Sequence, residues 1–407
     1  MLRFLMTTTA MVTPYGRSTT VPARSVLLNI KRATKSATLT NYKRILMDEI
    51  RSNKKLSLVG DVVALEQQME DFHLPLYVYL KNILDQNTNK RPLLVGISAP
   101  QGCGKTTLTE LLRVLFKADG RRCLSVSLDD FYLKGAAQDE LACAHPANPL
   151  LQYRGNAGTH DMPLIETTLA ALGQPAAVRV PQYDKALRDG RGDRVPDAHW
   201  LTLDAPPDVV LFEGWMLGFS PVGDSPGDVD ASNDGVDAAE RARRQAVLAA
   251  RPGLREVDRL LRGYRALHEA VDAWLVIAVE DEESLRRSPA FNPNSASEPL
   301  SADDDSGGGS GSGGRPAGVG AVHRWRLQAE TAMRAAGRAG LSDAQVADFV
   351  ERFMPAYELY LPTLYRRGPE RRGAEVPVLQ VTVDIDRRPV SSRSGGDDDG
   401  DPPRSRL

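Results

Sequence analysis

The chain has 407 residues, 26% of them charged, with 51 Lys and Arg against 53 Asp and Glu for a formal net charge of −2. That length exceeds the usual single domain, so segments beyond one core are expected, and the charge balance gives no electrostatic case for nucleic acid as a partner. Cys103, Cys123 and Cys143 are too few and too scattered for a disulfide framework or a Cys-rich metal site, and no run of about 18 apolar residues predicts a membrane-spanning helix.

Residues 1–47 contain no acidic residue, and basic residues (Arg3, Arg17, Arg24, Lys31, Arg32, Lys35, Lys43, Arg44) are spread among many Ser and Thr. This is the composition of an organellar transit peptide, with a disordered basic tail as the plainer alternative. From Leu46 to about Asp85 apolar residues at three- and four-residue spacings predict helix. An apolar run, Leu93 to Ile97, then enters the loop Ala99-Pro100-Gln101-Gly102-Cys103-Gly104-Lys105-Thr106-Thr107, and a helical pattern follows (Leu108, Leu111, Leu112, Leu115, Phe116). Strand, Gly-containing loop and helix in that order make a phosphate-binding loop. Loop N–H groups and the helix start present partial positive charge, Lys105 adds a full charge for β- and γ-phosphates, and Thr106 offers a hydroxyl to Mg²⁺. Ala99 stands where the first Gly is usual, so a negative φ is expected there.

Arg122 to Leu128 alternates as a second strand and ends in Asp129-Asp130-Phe131-Tyr132. Carboxylates at the C-terminal end of a parallel strand face the ligand crevice, although an Asp turn or helix cap is the structural alternative. A polar connection, residues 152–161, holds Arg154 and His160, and Asp161 is placed to cap a helix over Met162–Leu172. Val178 to Tyr183 reads as a short strand leading to Lys185 and, further on, Arg194. Asp208 to Trp215 reads as a buried strand that delivers Glu213 to the site edge, where a buried carboxylate is explained by Mg²⁺ or its water shell.

Two low-complexity inserts follow, at about 221–238 and 288–320, expected to be flexible linkers. Val257 to Ala270 is predicted helical and Ala273–Val279 another buried strand. Beyond the second insert come a cation-rich helix, Val322 to Ala336, one helix over Asp343 to Tyr360, a last strand from Val378 to Asp384, and an acidic disordered tail within 391–407.

Several of these stretches together resemble one family. Residues 99–107, Ser-Leu-Asp-Asp-Phe-Tyr (127–132), Arg-Gly-Asn-Ala-Gly-Thr-His-Asp (154–161), Tyr-Asp-Lys (183–185), Gly-Asp-Arg (192–194), Phe-Glu-Gly-Trp (212–215), Trp-Arg-Leu-Gln-Ala-Glu (325–330) and the run 353–365 are similar to the glycerate kinases of plants and fungi. The resemblance spans about Arg91 to Val390. It implies an α/β, P-loop NTPase-type fold: a doubly wound, five-stranded parallel sheet with helices on both faces and a helical lid, as one kinase domain over 48–390. It also implies ATP and Mg²⁺ as cofactors and transfer of phosphate to D-glycerate, making 3-phosphoglycerate in the photorespiratory cycle of chloroplasts. The partner is then a small molecule, with neither nucleic acid nor membrane, and a monomer is expected.

The resemblance suggests Asp129 as the base that orients the acceptor hydroxyl, with Asp130 as runner-up. Glycerate is an anion, so Arg154, His160, Lys185 and Arg194 are candidates for its carboxylate, with Tyr132 and Tyr183 beside them. Arg326 and Arg334 fit a lid that closes cations over the phosphates. Two other readings stay open: a kinase for another small alcohol such as uridine or a sugar phosphate, and a nucleotide-dependent switch. Against the switch, no guanine-recognition Asn/Thr-Lys-x-Asp motif is present.

Overall fold

The computed structural model describes Ile30, Arg32, Thr34 and residues 36–52, 62–88, 91–222, 238–279, 320–335, 337, 341–370 and 376–390. The start of the transit-like segment, most of both inserts and the acidic tail fall outside the described residues. Helix α1 (Ser36–Ser52) is followed by α2 (Val62–Gln68), which runs through a π-type turn, Met69–His73, into α3 (Leu74–Gln86). Next come β1 (Leu93–Ser98), α4 (Lys105–Ala118), β2 (Cys123–Ser127), α5 (Gly135–Ala144) and α6 (Met162–Leu172). Short strands β3 (Val178–Val180), β4 (Tyr183–Asp184), β5 (Asp193–Arg194) and β6 (Leu201–Leu203) precede β7 (Val209–Gly214). The chain closes with α7 (Ala238–Ala250), α8 (Gly253–Leu261), α9 (Arg265–Glu269), β8 (Ala273–Val279), α10 (Ala321–Ala335), α11 (Asp343–Glu351), α12 (Met354–Arg367) and β9 (Val378–Val383).

Five strands form one sheet in the order β2-β7-β1-β8-β9, and every pairing is parallel. The three inner strands are buried along their whole length, whereas the edge strands β2 and β9 alternate. Inner strands of a covered parallel sheet need apolar residues on both faces, which is why β1, β7 and β8 read as continuous runs and β2 as an alternation. Connections leave β1 in both directions, so right-handed crossovers carry helices to both faces, and all strand C-termini share one edge. Gly96, midway along β1, makes room for a neighbour. A Cβ there would lie 2.7 Å from the Trp274 ring of β8.

Three expectations need correction. The stretch Val178–Tyr183 is not one strand: β3 pairs with β6 and β4 with β5 in separate antiparallel ribbons. The single helix expected over 343–360 is two, because Pro355 lies in the first turn of α12 and cannot donate the hydrogen bond that would continue α11. The boundary expected at residue 48 falls inside α1, whose Tyr42, Leu46, Met47 and Ile50 are buried. The amphipathic pattern begins well before the acidic residues that seemed to open the folded part.

Helix α1 is fastened to the helix of the phosphate loop. The Tyr42 hydroxyl lies 2.8 and 2.9 Å from the two Asp119 carboxylate oxygens and the Tyr77 hydroxyl 2.5 Å from one of them, with Asp119 capping the C-terminus of α4. Tyr42 and Tyr77 also meet edge to face, centroids 5.1 Å apart. Asp119→Ala leaves the buried Tyr77 hydroxyl without its acceptor and should cost about 1–3 kcal/mol in denaturant unfolding. A chain beginning at Asp48 should melt well below one beginning at Ile30; equal melting would detach α1 from the core.

Candidate active site

The phosphate loop joins β1 to α4. Gly102 (φ 81) and Gly104 (φ 97) take left-handed backbone that only glycine adopts freely, and Ala99 is not among the residues with positive φ, as expected. The Lys105 ammonium donates to the Ala99 and Pro100 carbonyls at 3.0 and 3.1 Å, so it lies within the loop's own curve. Cys103 is buried, and burial pushes its thiol up despite the nearby Lys105. It is therefore not a ready thiolate.

Two later strands deliver acids to the same edge. Asp129 and Asp130 sit in a 3₁₀ turn, Leu128–Phe131, whose Ser127 cap accepts from the Asp129 N–H at 3.3 Å. The two carboxylates have different work. Asp130 accepts from the Ser127 and Tyr183 main-chain N–H groups at 3.4 and 3.3 Å, and burial pushes its carboxyl up to about 6. It serves the main chain as cap and tether. Asp129 instead accepts from the Tyr132 hydroxyl at 2.9 Å and from the Lys185 ammonium at 2.6 Å. Burial alone would raise its carboxyl, but the Lys185 charge and hydrogen bond hold it well below the usual carboxylate range. Glu213, at the end of β7, is buried. Burial raises its carboxyl while the Lys105 charge opposes, and Asp129 and Lys185 both act on it as well. Glu213 therefore lies electrically between the donor loop and the Asp129–Lys185 pair.

The loops expected to bind an anion are brought together, with unequal roles. Lys185 reaches Asp129, and Arg154 donates to the Gly190 carbonyl at 2.9 Å and to that of Arg191, with its guanidinium over the Tyr183 ring. Arg154 thus meets carbonyls rather than a carboxylate. Arg194 is buried and uses one terminal nitrogen for both the Tyr132 carbonyl at 2.8 Å and Asp161 at 3.0 Å, while its Nε has no hydrogen-bond partner among the described residues. His160 lies with these acceptor-side groups, but not as a charge. It is buried and stacked on Tyr132, centroids 4.5 Å apart, and burial pushes its imidazole down to about 4. It is neutral at ordinary pH, a hydrogen-bonding group and not a cation.

The expected lid cations are engaged elsewhere. Arg326 pairs with Glu330 at 2.5 Å and covers the Phe349 ring, while Arg334 pairs with Asp343 at 2.8 Å and fastens α10 to α11. Among the described residues neither side chain hydrogen-bonds to the phosphate loop, although the Arg326 main-chain nitrogen would lie 3.6 Å from a Cβ at Gly102. Their helix meets it through Trp325, whose Cβ would stand 2.6 Å from a Cβ added at Gly102.

Two groups that hydrogen-bond to the loop were not among the expected site residues. The Tyr357 hydroxyl accepts from the Gln101 N–H at 2.9 Å, and Arg387 donates from Nε to the Gly102 carbonyl at 2.9 Å while its guanidinium lies 5.1 Å over Trp325. Arg387 is also one of three described non-glycine residues with positive φ, in the turn after β9, which no local pattern marks. It brings a further cation to the loop. Arg387→Ala should raise the KM for nucleotide severalfold and leave the acceptor KM unchanged; a change in the acceptor KM alone would place Arg387 elsewhere.

Comparison with known proteins agrees with this geometry. The family described as Phosphoribulokinase / Uridine kinase matches residues 94–220, which hold the phosphate loop, Asp129, Lys185 and Glu213. The chain is 37% identical over 331 residues to the chloroplastic D-glycerate 3-kinase of Arabidopsis thaliana, a match that spans 78% of this chain and 60% of that protein's length, less than two thirds of it. It is 32% identical over 303 residues to an uncharacterized kinase of Schizosaccharomyces pombe, covering 74% of this chain and 91% of the relative. Among solved structures, D-glycerate 3-kinase from Cryptococcus neoformans matches with a TM-score of 0.57 and 29% identity, over 82% of this chain and 99% of that one. The fold shared with the Cryptococcus structure and the 32% identity over 91% of the Schizosaccharomyces pombe kinase go with the family match, and the chain belongs to the phosphoribulokinase/uridine kinase family.

Proposed function

We propose that the chain is a D-glycerate 3-kinase, transferring the γ-phosphate of ATP to D-glycerate to give 3-phospho-D-glycerate. The observation that carries the proposal is Asp129, an ionised carboxylate held by Lys185 and the Tyr132 hydroxyl at the sheet edge that bears the phosphate loop. Phosphoryl transfer runs through a loose transition state in which the protein positions groups and neutralises charge. A strongly basic group is not needed; Asp129 can orient the acceptor hydroxyl and take its proton late.

Lys185 and Arg154 supply positive charge on the acceptor side, which suits a small carboxylate. Lys105 and the loop N–H groups suit the donor phosphates. Among the described residues no three His, Cys, Asp or Glu cluster to hold a metal unaided. That fits Mg²⁺, which is usually held by one or two protein groups plus phosphates and waters. Glu213, a buried acid that needs a positive neighbour, and the Thr106 hydroxyl would hold it, and the ion would neutralise charge on the bridging oxygens. The relatives named D-glycerate 3-kinase support the acceptor. The acid-free N-terminus, with the chloroplastic Arabidopsis relative, supports a photorespiratory enzyme of the chloroplast.

ADP release on purified protein with D-glycerate, uridine, ribulose 5-phosphate or pantothenate should show turnover with glycerate; turnover with another acceptor and none with glycerate would overturn the assignment. Asp129→Asn should lower kcat by about 10²-fold or more with nucleotide binding retained, and unchanged turnover would remove Asp129 from the base role. Lys105→Ala should lower kcat and weaken nucleotide binding together.

A further inference from the structure

Tyr264 lies in the 3₁₀ turn between α8 and α9, is 1% exposed, and has no part in the assignment above. Its hydroxyl oxygen is 2.6 Å from His160 Nδ1 and accepts from the Gly158 N–H at 3.2 Å. With one lone pair of the Tyr264 oxygen taken by Gly158, Nδ1 is the one acceptor among the described residues within reach of the buried hydroxyl's proton. Nδ1 must then be an acceptor. A neutral imidazole carries a single proton, so that proton lies on Nε2.

Nε2 is buried and has no hydrogen-bond partner among the described residues. A buried donor left without a partner costs about 1–3 kcal/mol, which marks a place where a ligand atom would satisfy it. The surroundings indicate which ligand. The imidazole is stacked on Tyr132, whose hydroxyl binds Asp129, and the Asp129 charge acts on the ring. The local backbone supports the arrangement: Gly158 has φ 95, and a Cβ there would lie 2.4 Å from Leu260 of α8. The turn that presents His160 therefore packs directly against the segment that brings Tyr264.

We infer that Tyr264 is a positioning residue that fixes the proton of His160 on Nε2, giving the acceptor site a neutral, dry N–H donor for a hydroxyl or carboxylate oxygen of the phosphate acceptor. This rests on the acceptor-site reading of Asp129 above. The division of labour then becomes specific. Lys185 and Arg154 attract an anion without regard to shape, whereas a fixed N–H donor selects an acceptor with an oxygen at one place.

The test has an arm that needs no substrate. In ¹⁵N spectra of the full-length protein labelled on histidine, assigned with His160→Gln, the His160 ring should show a protonated Nε2 and an unprotonated Nδ1; a proton on Nδ1 would overturn the inference even if glycerate is the acceptor. If another acceptor proves to be the substrate, the same spectra still decide the tautomer, and the kinetic arm is run with that acceptor. Tyr264→Phe should raise the acceptor KM about tenfold with the ATP KM unchanged, and an unchanged acceptor KM would overturn the role. A structural loss would instead move the ATP KM and the melting temperature, which also counts against it. In the His160→Gln background, adding Tyr264→Phe should change the acceptor KM by less than about twofold, because no tautomer remains to be set; the full tenfold effect there would show that Tyr264 acts only through packing.

Discussion

The register between β1 and β7 is the constraint from which the site follows. Ile97 pairs with Glu213 and Ser98 with Gly214, so the strand that starts the phosphate loop and the strand that carries the acid end together. On the far side of β7, Ser127 pairs with the same Glu213, which puts Asp129 one short turn beyond. Both strands are buried from end to end, and a slip of one residue would turn every side chain to the opposite face. Sheet packing thus fixes the spacing of Lys105, Glu213 and Asp129 before any ligand arrives.

Around that frame the charges are arranged in sequence. Lys105 lies within the loop, Glu213 beside it, and Asp129 is bound to Lys185. Two cations thus flank two neighbouring acids, Lys105 beside Glu213 and Lys185 on Asp129, so that the charges balance across a partly buried edge. Asp130 shows how local this control is. It is adjacent in sequence to Asp129, yet it is spent on main-chain N–H groups and carries a raised carboxyl, while Asp129 faces cations. Adjacent acids divide into structural and chemical roles by what each one faces.

The parts of the molecule legible in the sequence were those in which neighbours in the chain do the work. The loop 99–107, the strands that precede Asp129 and Glu213, and the Asp161 cap of α6 each carry their signal within a few residues. What was not legible depends on distant partners. The pairing of Arg194 with Asp161 and the Tyr132 carbonyl joins residues tens of positions apart, which no local pattern shows. Arg326 and Arg334 form a cationic helix face by composition, but Glu330 and Asp343 take their charges. His160 read only as a candidate for the acceptor's carboxylate, because its burial and neutrality cannot be read from a loop of glycines and polar residues. Tyr264 and Tyr357 had no signal of their own, since a tyrosine on an apolar helix face reads as core whatever its hydroxyl meets.

The clasp on the phosphate loop also bears on the order in which the protein is assembled. The Gln101 N–H bonds to a hydroxyl 256 residues further on, and the Gly102 carbonyl to a side chain 285 residues further on. Four of the five sheet strands, with Asp129 and Glu213, lie within the first 279 residues. The groups that brace the loop all come after them. Contacts of such sequence separation are among the slowest to form, so during synthesis the nascent chain can complete its central strands while the loop is still unbraced. A chain cut before α12 would keep those four strands in sequence but lack both groups that brace the loop, and should hold a triphosphate less well.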